Sequence, residues 1–301
     1  MDVHSFEGRV AVVTGAGRGI GRAYALLLAS RGARVVVNDL GGSMQGLGAD
    51  AGVASRVATE IAAAGGSAIA DENDVAAPSG AQAVIDAAVD NFGRLDILVN
   101  NAGIMQWAGL PDVDQENVER HLAVHVLGSF NTTRAAWPHM VEQGYGRIVM
   151  TTSSGIFGLP KNLSYATAKG GVIGLTRSIA TMSEAHGIKV NLIAPAAVTR
   201  MAGPGADPDD TTSPMAPGQV APLVAFLAHE ACPVNGEMYA AGAGRFARIF
   251  IASTPGYVAA APTVEDVAEH WDEINDDAGY VVPRDLPDWS TFFLAHLRAE
   301  H

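Results

Sequence analysis

Tyr165 and Lys169 stand four residues apart in the run SYATAKGG. On a helix, positions i and i+4 share a face, so the phenol and the ammonium are neighbours. A phenol with an ordinary pKa near 10 is a poor base at neutral pH. A cation one turn away favours the phenolate, which can then take a proton from an alcohol or return one to a carbonyl. Thr151-Thr152-Ser153-Ser154-Gly155 lies just upstream. A hydroxyl there can hold the reacting oxygen and steady its developing charge. Any helix can carry Y-x-x-x-K by chance, so the pair gains its meaning from the elements that place it.

The first of those elements is residues 9–21, RVAVVTGAGRGIG. A β-branched run stops at Thr14-Gly15, and Gly19, Ile20 and Gly21 open an amphipathic stretch, Arg22–Ser30. The pattern predicts strand, tight glycine turn and helix, with backbone N–H groups and a helix N-terminus facing a pyrophosphate. One glycine permits the turn, one the approach of phosphates, and one close packing of helix on strand. Asp39 closes the next strand, where a carboxylate can accept hydrogen bonds from an adenosine ribose. It would repel a 2′-phosphate and so favours NAD over NADP; Arg18, inside the turn, points the other way. Asp39 also reads simply as a strand-end cap. Asp74-Val75 follows a third strand and is placed to hold the adenine edge. Asn100-Asn101-Ala102-Gly103 follows a fourth. In an open parallel sheet these strand ends meet in one crevice.

Strand-like and helix-like runs alternate along the chain. Strands are expected at Arg34–Asn38, Ser67–Ala70, Leu95–Val99, Arg147–Thr151, Lys189–Ile193 and Glu237–Ala240, after the first at Val10. Helices are expected at Ala51–Ala64, Ala81–Phe92, Asn117–Val141 (with Pro138 bending or ending it), Tyr165–His186 and Val220–Ala228. The strands are continuous apolar runs, as in a parallel sheet covered on both faces. The expectation is an α/β fold, a doubly wound parallel sheet of about seven strands, over residues 1–243. Residues 244–301 read as an appendage packed on that domain or on a neighbouring subunit, with a strand at Phe246–Ala252 and helices at Val264–Ile274 and Trp289–Leu297. Residues 199–218, rich in proline and polar side chains, read equally as an active-site lid or a surface insertion.

Bulk properties narrow the function classes. With 301 residues, 48% hydrophobic and 17% charged, the chain is globular. Its net charge of −13 repels phosphate backbones, so nucleic acid is not an expected partner. The lone Cys232 precludes an internal disulfide framework and reads as a buried filler in a reducing compartment. No apolar run reaches the roughly 18 residues of a membrane span, and the first residues lack a signal-peptide core. A cytoplasmic protein without a membrane partner is expected. No His/Cys/Asp cluster has metal-ligand spacing, so no metal is expected.

In combination, TGAGRGIG at 14–21, Asp39, Asp74-Val75, NNAG at 100–103, Ser153, Tyr165 and Lys169 resemble the short-chain dehydrogenase/reductase family over about residues 6–243. The resemblance implies a Rossmann-like fold and hydride transfer with a nicotinamide cofactor. It makes Tyr165 the general acid/base and has Lys169 bind the nicotinamide ribose and lower the tyrosine pKa. It also has Asn101 touch the cofactor nearby, and Val198-Thr199 contact the nicotinamide amide. The sequence departs from the family in three places. Pro195 is followed by Ala196 where the family usually has glycine. The segment HVLG carries His125 where the family often has an asparagine that supports a water in a proton relay. His125 reads either as a substitute in that relay, with added pH sensitivity, or as a buried packing residue. The serine stands 12 positions before Tyr165, one fewer than usual. Ser153 is therefore the expected hydroxyl, with Thr152 and Ser154 as alternates.

Within the family, GRAYALLLASRGARVVVNDLGG, GSFNTTRAAWPHM, YGRIVMTTSSGIFG and VAPLVAFLAHE are similar to the (3R)-hydroxyacyl-CoA dehydrogenase branch found in peroxisomal multifunctional enzymes and bacterial relatives. This implies NAD and a small-molecule substrate, a 3-hydroxyacyl-CoA or steroid-like secondary alcohol. It also implies a homodimer or homotetramer. No basic cluster for the phosphates of coenzyme A stands out. The alternatives are a general ketone or sugar reductase with the same machinery, or a nucleotide-binding regulatory protein without turnover.

Overall fold

The computed structural model describes residues 4–200 and 212–298. Eight strands form a single sheet: β1 Val10–Thr14, β2 Arg34–Asn38, β3 Ser67–Asp71, β4 Ile97–Asn100, β5 Gly146–Thr151, β6 Ile188–Pro195, β7 Met238–Gly242 and β8 Arg245–Ile249. Their order is β3-β2-β1-β4-β5-β6-β7-β8. Every pairing from β3 across to β7 is parallel. The chain winds outward from β1 to β3 and then returns to β1's other side at β4. That reversal opens a crevice beyond the C-terminal ends of β1 and β4, where doubly wound sheets bind their ligands.

The central strands are buried because helices cover both faces. β1, β4 and β5 have no exposed residue, and Val12 is paired with Val36 on one side and Leu98 on the other. The covering helices are α1 Gly19–Ser30, α2 Gly52–Ala63, α3 Pro78–Phe92, α4 Gln115–His121, α5 Gly128–Gln143, α6 Leu163–Ser183 and α7 Ala221–Ala228. Between α4 and α5 the chain stays helical but widens into a π-helical turn, Leu122–Leu127. Such turns are rare and tend to sit at functional sites.

Pro138 was expected to bend or end the long helix, yet α5 runs through it to the left-handed Gly144. Pro138 and Arg134, whose carbonyl the proline deprives of a partner, both lie on the exposed side of the helix. The buried Thr132, Thr133, Ala136 and Met140 hold the other side to the core.

The sheet has eight strands rather than about seven, because the strand expected at 246–252 joins it as β8. Ala243 and Gly244 both have positive φ, 50° and 72°, so a two-residue turn folds β8 back along β7. Arg248 then forks onto the Glu237 carboxylate at 2.8 and 2.9 Å.

The chain divides into two compact units, Met1–Arg248 and Ile249–His301. In the second, α8 Val264–Glu269 begins with a capping box between Thr263 and Asp266. The single helix expected over 264–274 breaks at His270, which stacks on Tyr257 with centroids 3.7 Å apart, and α9 Trp271–Ile274 follows. α10 Leu286–Phe293 stacks Trp289 on Phe293. No helix among the described residues is long and apolar enough to cross a membrane.

Candidate active site

The glycine turn at the end of β1 is held by its neighbours. A Cβ on Gly15 would stand 2.8 Å from Ala102 Cα, and one on Gly21 would stand 2.2 Å from the Gly15 carbonyl oxygen. Neither backbone can yield, so both positions require glycine. Thr14 welds the turn to β4. Its buried Oγ1 accepts the N–H groups of Asn101 and Ala102, each at 3.0 Å, and donates to the Val99 carbonyl. The Asn101 amide adds bonds from Nδ2 to the carbonyls of Thr14 and Gly15, at 3.0 and 3.1 Å. Asn101 therefore uses its donors to set the turn.

α1 starts at Gly19 with no side-chain cap and no acid in its first turn. Its leading N–H groups are left for an anion, and Thr199 closes over Gly19. At the end of β2, Asp39 accepts from Gly17 N–H at 2.9 Å and from Gly41 N–H at 2.8 Å, which fixes the carboxylate between turn and loop. Arg18 and Arg200 both donate to the Gly42 carbonyl, at 3.3 and 3.0 Å. Asp74 is exposed and accepts from Ala76 N–H, whereas Val75 is buried against Gly128. An uncapped helix start, a fixed carboxylate and flanking guanidiniums fit a dinucleotide with its pyrophosphate at α1 and its adenosine beside Asp39.

The other half of the site is built on β5 and α6. Ser153, the first residue beyond the strand end that is not buried, hydrogen-bonds the Tyr165 phenol and accepts from Gly155 N–H at 3.0 Å. Thr152 is fully buried and donates to the Lys169 carbonyl, and Ser154 is exposed. Of the three hydroxyls, Ser153 is the one on the tyrosine. Lys169 is buried, and its Nζ donates to the Thr151 carbonyl at 2.7 Å while lying 5.6 Å from the Tyr165 ring centroid. Burial pulls its pKa down to about 7. Burial also pushes the Tyr165 phenol above its ordinary value, against the smaller downward pull of the Ser153 hydrogen bond. The depression expected from Lys169 is not seen here: desolvation dominates, and Ser153 supplies the opposing pull.

His125 lies in the π-helical turn and is buried. Its Nε2 meets the Ile104 carbonyl at 2.9 Å and the Ile104 N–H at 3.2 Å, and its Nδ1 has no hydrogen-bond partner. A Cβ on Gly103 would come within 2.6 Å of the ring. Tyr165 stands edge-on to it, centroids 5.3 Å apart. Burial first, then the Lys169 charge, hold His125 well below the ordinary imidazole range, so it is neutral. On the far side, the β6 segment from Pro195 leads to Val198, whose N–H donates to the Met215 carbonyl at 2.7 Å. The segment 199–218, expected to be either a lid or a surface insertion, lies mostly outside the described residues.

Several residues were not foreseen. Thr14 and Gly17 sit inside the recognised motif but look interchangeable in sequence. Arg200 and His121 act through contacts across the fold, which spacing does not reveal. Asn100, by contrast, faces inward: its Nδ2 reaches Thr133 Oγ1 at 3.1 Å and its Oδ1 accepts from Thr132 at 2.7 Å.

The short chain dehydrogenase family model matches residues 9–207. A protein of Mycobacterium tuberculosis named as a short-chain type dehydrogenase/reductase is 42% identical over 275 residues, 91% of this chain and 96% of its own length. The mouse peroxisomal multifunctional enzyme type 2 is 41% identical over 94% of this chain, which spans only 39% of that enzyme. A 7α-hydroxysteroid dehydrogenase solved with NADH and 7-oxo glycochenodeoxycholic acid superposes with a TM-score of 0.69, at 29% identity, over 80% of this chain and 95% of its own. The chain therefore belongs to the short-chain dehydrogenase/reductase family and is an oxidoreductase.

Proposed function

We propose that this enzyme interconverts a secondary alcohol and a ketone with NAD, on a 3-hydroxyacyl-CoA or steroid-like substrate. The observation that carries the proposal is the meeting of Ser153, Tyr165 and Lys169 at the end of β5, next to the strand end whose Asn101 grips the glycine turn. The preference for NAD rests on Asp39, whose fixed carboxylate would face a 2′-phosphate at close range. The NADH complex of the hydroxysteroid dehydrogenase above supports a nicotinamide cofactor. The substrate class rests on the names of the relatives and on a rim of exposed apolar side chains. Trp107 and Leu110 lie on one segment and Phe157 and Leu159 on another, and the bridge between Ala108 and Asn162 ties the two together. Such a rim suits an apolar substrate body. The proposal extends to a homodimer or homotetramer, as the family resemblance implies, and to the cytoplasmic location expected from the sequence.

A bound nicotinamide would supply or accept the hydride. The chain's own groups handle the proton and the oxygen. Ser153 donates to the substrate oxygen and fixes it beside the phenol. Tyr165 takes the hydroxyl proton in oxidation and returns it in reduction. Lys169, anchored on Thr151, lies beside the phenol and would offer its ammonium to the ribose of a bound cofactor. When its ammonium is charged, it favours the phenolate.

Removing one hydroxyl tests this. Tyr165→Phe should lower turnover by roughly 10²- to 10⁴-fold, the scale of general acid/base catalysis. NADH binding, followed by fluorescence titration, should change by less than about twofold, because the cofactor contacts lie elsewhere. Retained turnover in this variant would refute the assignment. A panel of 3-hydroxyacyl-CoA esters, hydroxysteroids and simple secondary alcohols, each with NAD and NADP, decides the substrate class.

A further inference from the structure

Two imidazoles face each other beside the tyrosine, and only His125 stands at a position the family pattern marks. His121, the last residue of α4, is fully buried and stacks on His125 at 5.9 Å with their planes 14° apart. It is also edge-on to Tyr165, at 6.4 Å. Both rings hold main chain. His121 Nδ1 donates to the Asn117 carbonyl at 2.7 Å, which leaves Nε2 as an acceptor, and the Gln106 N–H donates to it at 3.3 Å. His125 Nε2 grips Ile104. The segment 104–106 is thus pinned at its two ends by side chains of one helical stretch. It leads directly from the Asn101–Gly103 strand end to Trp107 on the apolar rim.

We infer that His121 and His125 are positioning residues: a stacked pair of neutral rings that clamps the main chain of 104–106 and so sets where the substrate's apolar body lies relative to the Tyr165 phenol. The inference rests on the proposed function for its substrate. The π-helical turn gives the pairing its geometry, since the two rings are one turn apart and nearly parallel. The acceptor role of His121 requires an unprotonated Nε2. A proton there would turn the acceptor into a donor facing a donor and release Gln106. The groups facing the pair are Arg120 on its own helix and Tyr165 and Lys169 on α6; the segment 104–107 contributes no titratable side chain. Burial first, with the Arg120 and Lys169 charges, holds His121 below the ordinary imidazole value, so the clamp is closed at neutral pH and opens toward acid.

The test compares His121→Phe, which keeps a ring without an acceptor, with His121→Gln, which keeps an acceptor that does not titrate. His121→Phe should raise substrate KM roughly three- to tenfold, the worth of one main-chain hydrogen bond, with kcat and NADH affinity near wild type. His121→Gln should keep the neutral-pH KM and lose the rise in KM that the wild type shows toward acid. Hydrogen exchange at the Gln106 amide reads the clamp without any substrate. Protection should fall toward acid in the wild type and stay constant in His121→Gln, so the clamp is testable even if every proposed substrate fails. An unchanged KM in a folded His121→Phe, or Gln106 protection that ignores pH in the wild type, overturns the inference. If His121→Phe does not fold, the pH behaviour of His121→Gln decides alone.

Discussion

Replacing Thr14 with valine removes one hydroxyl and little volume, and it tests how the glycine turn is fixed. Thr14 is 1% exposed, and its Oγ1 is the acceptor for the Asn101 and Ala102 N–H groups at 3.0 Å. Valine leaves both donors facing a methyl group. Each orphaned donor costs about 1–3 kcal/mol, and because Asn101 and Ala102 are only partly buried the low end applies, so about 2–3 kcal/mol in all. For a domain of this size that lowers Tm by about 4–10 °C. The Asn101 Nδ2 bonds to Thr14 and Gly15 remain and hold the turn loosely. NADH affinity should therefore weaken by roughly three- to tenfold rather than vanish, one hydrogen bond's worth. Thermal melts and NADH fluorescence titration read the two effects, and Thr14→Ser should restore both. A valine variant that melts within about 1 °C of wild type, less than the shift of about 2–4 °C that one kcal/mol would cause, would show that Oγ1 does not hold the turn to β4.

Two further predictions concern charge. Asp39→Asn removes the carboxylate proposed to face the adenosine ribose and leaves Arg18 and Arg200 on Gly42. The NADP-to-NAD ratio of kcat/KM should rise roughly tenfold or more, the size of one short-range charge interaction; an unchanged ratio would take cofactor choice away from Asp39. Lys169 is held down to about 7 in the folded chain and returns to its ordinary value when unfolded, so between those values the unfolded state binds the extra proton. Stability contributed at this site therefore rises as pH rises through 7 and is reduced below it. The Tm of the cofactor-free wild type, measured relative to Lys169→Met, should climb from neutral toward alkaline pH, and a flat difference would contradict the buried, depressed lysine.

The parts of this molecule that were legible in its sequence are those where one local pattern has one physical meaning. A β-branched run ending in Thr14-Gly15 and followed by Gly19 and Gly21 has few ways to fold other than strand, turn and helix. Tyr165 and Lys169 share a face on any helix. Apolar runs such as Leu95–Val99 imply burial on both sides, which in turn implies the parallel sheet. The strand expected at 246–252 was legible, but its place in the main sheet was not, because the turn before it uses Ala243 at positive φ, where the sequence signal would be Asn or Asp before Gly. Pro138 misled because its helix-breaking cost depends on which side of the helix loses the hydrogen bond, and here that side is exposed.

What stayed hidden at the site is of another kind. Ser153 could not be told from Thr152 by counting, since the decision rests on a contact with α6: the threonine hydroxyl is spent on the Lys169 carbonyl. The Asn101 amide turns toward the glycine turn and donates to two carbonyls there, a contact set by the neighbouring ends of β1 and β4 rather than by NNAG itself. The two histidines four residues apart look like an ordinary helical pair. Their meaning comes from the widened turn that stacks them and from a main-chain segment that needs one ring to accept what the other helps to fix. Spacing along the chain therefore identifies the groups that carry the proton, while the groups that aim them are defined only by what else in the fold has a hydrogen bond to satisfy.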